Sequence, residues 1–310
     1  MISYVGHRLI GAFPVVIGIT LVAFLLIRLI PGDPVQLMLG FHATPERVAQ
    51  LRAALHLDEP LPQQYVKFVA GALTLDLGDS IALKGPISPI IGSRALVTAL
   101  LLAYAILVSL LVAVPLAVLS ALRRNQLPDH AIRLFSTIAF AMPAFWLGLV
   151  LVLVFSLELG WFPTSGLGRG PLGLLSSLTL PAITIGLYLA PVLLRTLRSS
   201  MIETLNAEFI EATRARGLSE SRVVLKHVMR NSLIDMITVL GVTIGFLISG
   251  TVVIENVFAL PGLGSLLVSS ILARDFPVIT ALTLVFGIAV IIVNLITDLS
   301  YAILDPRVRL

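Results

Sequence analysis

Six uncharged, largely apolar runs divide the chain, at residues 9–27, 95–122, 134–157, 170–194, 236–254 and 276–297. Each is long enough to cross a hydrocarbon core, which takes about 17 to 25 residues of helix. None alternates apolar and polar positions as a half-exposed strand would. Lipid offers no partner to an unpaired backbone group, so the runs predict six transmembrane helices rather than a barrel. A seventh uncharged stretch, residues 256–273, contains the breaker cluster LPGLG (Leu260 to Gly264). It reads as a turn or re-entrant segment, not a span.

The polar stretches are patterned too. In the loop between the first two runs, Thr44 followed by Pro45 and Glu46 has the form of a helix start, with Val48, Leu51, Leu55 and Leu57 at roughly helical spacing. A second short helix is expected from near Pro62, carrying Tyr65, Phe68, Val69 and Leu73. This loop reads as a small cap on the ends of the spans, or more sharply as a docking surface for an external partner.

The segment between the fourth and fifth runs is charged and soluble in character. Asn206 is placed to cap a short helix beginning at Ala207, with Glu208 in its first turn and Arg214 and Arg216 near its end, each favourable to the helix dipole. Gly217 then supplies a left-handed residue that stops the helix. Ser219 is placed to cap the next helix, whose Val223, Val224, Val228 and Leu233 lead into the fifth run. Phe209 and Ile210 beside the small Ala212 form a knob suited to a groove in another protein. The plainer alternative is an amphipathic helix lying on the membrane surface.

Composition agrees with the pattern: 57% hydrophobic, 12% charged and a mean hydropathy of +1.03 describe an integral membrane protein. The net charge of +4 is the surplus expected from basic residues retained on one side of a membrane, and no basic run interleaved with aromatics suggests nucleic acid. One set of connections holds Arg8; Arg123, Arg124 and Arg133; seven basic residues from Arg195 to Arg230; and Arg307 and Arg309. The two short opposite loops hold only Arg169 and Arg274, so both termini are expected on the cytoplasmic side. The first run is expected to be retained rather than cleaved as a secretory signal, since IPGDP and not a small-residue site follows it.

Much chemistry is missing. There are no cysteines, which removes disulfides, iron–sulfur centres and thiolate zinc. None of Lys67, Lys84 and Lys226 ends a GxxxxGK phosphate loop, and GLGRG at 166–170 lacks that lysine, so the chain is not expected to bind ATP itself. The five histidines form no HxxxH pair, and no GxSxG elbow marks a nucleophile. No catalytic residue and no metal ligand is assigned. Ionisable groups within the runs are almost lacking, with Arg28, Glu255 and Asp298 all near their ends, which leaves little for an ion-coupled carrier. Thr98, Tyr104, Ser109, Tyr188, Thr238, Thr243 and Ser249 offer polar contacts in the spans, but such residues commonly join helices, and none is assigned to substrate.

Glu211-Ala212-Thr213, three residues, then Gly217 resembles the EAA-x-x-x-G motif of permease subunits in binding-protein-dependent ABC importers. HxxRN at 227–231 resembles the dipeptide, oligopeptide and nickel branch of that family. So do IPGDP (30–34), TPE and LHLDEPLPQQY in the loop, DLGDS (76–80), ENVFALPGLG (255–264) and DPRVR (305–309). Thr213 departs from the motif, standing where a second Ala is usual.

The resemblance implies an all-α polytopic protein with the type I ABC importer permease fold. It implies a transmembrane helix over 1–30, an extracytoplasmic loop domain over 31–94, a five-helix core over 95–304 with a cytoplasmic coupling insert at 195–235, and a tail at 305–310. It implies that Phe209, Ile210, Glu211, Ala212 and Gly217 couple the chain to an ATPase. The implied partners are a second, homologous permease in a heterodimer, two ATP-binding subunits that use ATP and Mg, an extracytoplasmic solute-binding protein, and membrane lipid. The implied function is half of the translocation pathway for di- and oligopeptides across the inner membrane of a prokaryote. A nickel or other small-solute permease, an ATPase-independent secondary carrier, and a membrane scaffold are the alternatives.

Overall fold

The computed structural model describes residues 2–29 and 31–304. The tail expected at 305–310, with DPRVR, and Ile30 of IPGDP lie outside the described residues. Twelve helices are described: α1 (Ile2–Leu26), α2 (Pro34–Leu39), α3 (Pro45–Ala54), α4 (Leu61–Leu73), α5 (Ile87–Leu122), α6 (Leu127–Ala141), α7 (Ala144–Glu158), α8 (Gly170–Leu205), α9 (Glu208–Ala215), α10 (Glu220–Val257), α11 (Leu263–Leu272) and α12 (Phe276–Leu304). Asp79–Ser80 and Gly85–Pro86 form one small antiparallel ladder, β1–β2.

Four helices, α5, α8, α10 and α12, are long and apolar enough to cross a bilayer, and a fifth crossing arises if α6 and α7 count as one broken span. The apolar part of α1, Ile10–Leu26, is shorter. The run at 134–157, expected as one transmembrane helix, is bent by 99° between α6 and α7. Pro143 is the cause. A residue before proline is driven out of the helical region, and Met142 has φ −80° and ψ 129°. The stretch at 256–273 holds no helix long enough to count as a span. It turns at Ala259 (φ +48°) and continues as α11, a helix of 10 residues.

The chain divides into two compact units. Among the described residues, the larger is built on Ala99–Leu260 and residues 292–304. Its centre is α8, which is 72% buried over its apolar window, against 33% or less for the other three long helices. Small residues let its neighbours approach closely. Ala182, Gly186 and Ala190 recur every fourth position on α8, and Ala105, Ser109, Ala113, Ala117 and Ala121 do the same on α5, all buried. A Cβ on Gly186 would stand 3.1 Å from the Ala105 carbonyl oxygen. The contacts Tyr104–Thr179, Gly186–Val108 and Ser120–Arg198 advance together, so α5 and α8 run in the same direction.

Two polar clamps hold α8 near its end. Asp129 of α6, fully buried, accepts from Arg198 at 2.8 and 2.7 Å, from Ser120 Oγ at 2.5 Å and from the Asn125 amide at 2.9 Å. Further along, Ser200 Oγ donates to Asp235 of α10 at 2.5 Å and Thr204 meets Ser232 at 3.3 Å.

The smaller unit comprises Gly6–Thr98 and Pro261–Ile291. The expected helix starts are present. Thr44 Oγ1 accepts from the Arg47 amide at 3.4 Å, and α4 presents Tyr65 and Phe68 to Phe24 of α1. Thr20 of α1 joins Tyr65 at 2.8 Å, while Arg28 lies over the Phe24 ring and donates to Gln64. Lys67 holds the half-buried Glu59 carboxyl below its usual range through a 2.5 Å bond. Ile87 and Ile91 of α5 pack with Leu263 and Leu266 of α11 and with Val278, Ala281 and Leu282 of α12. Asp275 Oδ2 accepts from Ser80 Oγ at 2.5 Å and the Ala82 amide at 3.1 Å, tying the DLGDS motif down.

Candidate coupling helix

The charged insert forms the expected hairpin in the larger unit, with two corrections to its caps. Asn206 does not cap α9. Its Nδ2 donates 2.9 Å back to the Ile202 carbonyl, finishing α8, and Ala207 takes the cap position with no side-chain bond. Ser219 does occupy the cap position before Glu220, but it contributes its backbone carbonyl, which the Arg222 amide reaches at 2.9 Å, rather than its hydroxyl.

The helix stop is as expected. Gly217 has φ +79°, and its amide bonds the Arg214 carbonyl at 2.9 Å. Across this turn Arg214 donates to Glu220 at 2.7 and 3.1 Å, a two-pronged pair that holds the guanidinium above its ordinary pKa. The pair is largely solvent-exposed, so it orients the turn more than it stabilises it.

The knob is half of what the sequence suggests. Phe209 is 47% exposed, whereas Ile210 is fully buried. Successive residues on a helix point about 100° apart, so one of an adjacent pair faces out when the other faces in. Ile210 belongs to a buried cluster with Val223, Val224 and Val228. Those three valines lie in a π-helical turn over residues 223–228, wider than an α turn, and all three are buried. Ile210 therefore anchors α9 to the base of α10, and Phe209, Glu211 and Ala212 face outward.

Thr213, at the second small position of the motif, turns its hydroxyl to the Phe209 carbonyl at 2.6 Å. Its polar group is thus satisfied within the helix, and the substitution costs little. Behind the hairpin, Asn231 of HxxRN donates to the His227 carbonyl at 2.9 Å. Of the polar residues in the spans, Tyr104 meets Thr179 at 3.3 Å, Thr98 accepts from the Leu263 amide at 2.9 Å, and Ser109, Thr238 and Thr243 donate to carbonyls of their own helices. Tyr188 stacks on Phe140 with ring centres 6.3 Å apart.

The site is a short helix with a protruding aromatic, held from beneath by one isoleucine, between two long helices joined to each other at Ser200–Asp235. Among the described residues, no group of three or more His, Asp or Glu is placed to hold a metal ion. The Asp129–Arg198 clamp, which the runs did not reveal, fixes the same long helix to α6. Its one sequence signal is an acid and a base just outside apolar runs.

Residues 113–310 match the family described as "Binding-protein-dependent transport system inner membrane component", and residues 1–93 match its amino-terminal counterpart, "Binding-prot-dependent transport system membrane comp, N-term". A putative peptide permease protein of Brucella ovis is 38% identical over 317 aligned positions, covering 100% of this chain and 99% of that one. The glutathione transport system permease protein GsiC of Salmonella paratyphi A is 37% identical over 309, with the same coverage. In fold, the chain is similar to a chain of the MetNI methionine ABC transporter in an inward-facing conformation, with a TM-score of 0.58 and 17% identity over 70% of this chain and 96% of that one. Matched along nearly its whole length, the chain belongs to the family of binding-protein-dependent transport system inner membrane components and is a multi-pass protein of the inner membrane.

Proposed function

We propose that this chain is the permease subunit of an ATP-driven importer and forms half of a translocation pathway for di- and oligopeptides. The observation that carries the proposal is α9: an exposed Phe209 on a helix fixed from below by Ile210 and ended by Gly217. Such a helix transmits a push from a soluble partner into α8 and α10 without itself doing chemistry. Two ATP-binding subunits, using ATP and Mg, dock on α9 and its equivalent in a second, homologous permease. A solute-binding protein delivers substrate from outside. Closure of the ATP-binding subunits drives Phe209 inward, and the clamped helices turn that displacement into alternating openings.

Phe209, Ile210, Glu211, Ala212 and Gly217 are the coupling residues, Ile210 as anchor and the others as contact surface and turn. In this reading both termini and the insert at 195–235 are cytoplasmic, residues 31–94 form an extracytoplasmic domain, and residues 95–304 form the transport core. The amino-terminal helix, residues 1–30, is an addition to that core. The named relatives support peptides over nickel, since one is called a peptide permease and the other handles glutathione, a tripeptide.

Reconstitution of the purified complex in vesicles, with labelled dipeptide, glutathione and Ni²⁺ offered separately, tests this. Peptide uptake is expected only with internal ATP and the binding protein. Uptake that instead follows an ion gradient, or that occurs without ATPase subunits, overturns it.

A further inference from the structure

A cavity of about 480 Å³ opens between α6 and α8, beside the Asp129–Arg198 clamp. That is the size of a small-ligand site. Three arginines line it, Arg133, Arg195 and Arg198, together with His130 and Ser136. One carboxylate, Asp129, serves two of the three. Asp129 is bonded twice by Arg198 and lies 3.9 Å from Arg133 Nε, while among the described residues Arg195 has no carboxylate within salt-bridge distance. Arg133 also donates to His130 Nδ1 at 2.6 Å, which leaves its other N–H groups directed elsewhere.

Ser136 adds a second, independent sign. It is 4% exposed, and its hydroxyl is buried with no hydrogen-bond partner. The adjacent Thr137 satisfies its own hydroxyl on the Arg133 carbonyl at 2.9 Å, so the helix offers a partner that Ser136 does not take. A surplus of guanidinium and an unused buried hydroxyl in one cavity describe a site for an anion with several acceptor oxygens. Phosphate meets that description, because planar guanidiniums fork onto its oxygens and a serine hydroxyl donates to a third.

We propose that the cavity between α6 and α8 binds a phosphate group, supplied in the membrane by the headgroup of an acidic phospholipid. The setting favours lipid over free phosphate. Leu134 and Leu194 line the cavity, and Phe135 and Ile138 lie exposed on the same helix, offering acyl chains an apolar path from a basic pocket between spans. A bound headgroup bridges α6 to α8 a few turns before α9, so it stiffens the helix that carries the coupling insert. The inference concerns regulation and is independent of which solute is transported.

The test uses the whole chain, delipidated and re-exposed to phosphatidylglycerol or phosphatidylcholine, with bound lipid counted by native mass spectrometry. Phosphatidylglycerol is expected to bind about tenfold or more tightly than phosphatidylcholine, and Arg195→Gln and Ser136→Ala each to remove most of that preference. Arg195→Lys keeps much of it, and Arg124→Gln, an exposed arginine outside the cavity, keeps all of it. Inorganic phosphate is titrated in a second arm. Displacement of the lipid only at high phosphate supports a headgroup site, whereas equal occupancy by low phosphate without lipid overturns the lipid assignment. Equal retention of both lipids, or unchanged binding in Arg195→Gln with an unchanged melting temperature, overturns the site. Protection of a cysteine placed at 195 by added ATP-binding subunits alone also overturns it, since a protein then fills the cavity.

Discussion

Gly217 sits at φ +79° with nothing within 4 Å of where a Cβ would stand, so the backbone conformation alone restricts what that position accepts. A β-branched residue there is strained by about 1–2 kcal/mol, while asparagine tolerates the same conformation. Gly217→Val is expected to leave insertion intact and lower peptide moved per ATP hydrolysed several-fold, with Gly217→Asn close to the parent. A vesicle assay of uptake against phosphate release checks it. Phe209 and Ile210, neighbours in sequence, are expected to separate cleanly. Ile210→Ala empties a buried position and costs about 2–5 kcal/mol, visible as a lower melting temperature. Phe209→Ala changes stability by less than about 0.5 kcal/mol. It nevertheless weakens co-purification of the ATP-binding subunits. Equal melting losses from the two substitutions would contradict the placement of Ile210 as the anchor.

At the level of elements, stability rests on how closely α5, α6 and α10 approach α8. Gly186→Leu places a side chain against the Ala105 backbone, which cannot move aside as a side-chain tip can. The expected result is loss of monodisperse protein after extraction, and a normal elution profile would count against the small-residue seam. Asp129→Asn strips the buried partner from Arg198 and is expected to cost about 3 kcal/mol, since a buried charge left unpaired is more expensive than the pair is favourable. Thermal unfolding in detergent measures it. These elements also show what a sequence can and cannot disclose. The hairpin was legible because its helix, glycine stop and following helix are local events within some thirty residues. The break between α6 and α7 was signalled by Met142-Pro143 but hidden inside an unbroken apolar run. The Asp129–Arg198 clamp joins residues 69 apart, and nothing in the spacing of a single chain pairs them. Which of Phe209 and Ile210 faces inward is settled by packing of Ile210 with Val223, Val224 and Val228, a tertiary contact that the adjacent pair alone does not announce.

For the whole molecule, hydropathy was sufficient to identify a helical membrane protein, and the motif strings were sufficient to identify its family, because both are written along the entire length. The two-unit organisation was not legible, since residues 261–291 join the amino-terminal unit by packing that forms only after the chain has folded back. The central claim is that force enters this bundle from a soluble motor through α9, on the cytoplasmic side. The parent chain has no cysteine, so a single one replacing Phe209 is a unique chemical handle. The decisive measurement is cross-linking from that cysteine in intact membranes. The account predicts a product with the ATP-binding subunit whose yield changes with nucleotide, and no reaction with an impermeant reagent applied outside. Modification from the outer face, or a product with the external binding protein in place of the ATP-binding subunit, would contradict it.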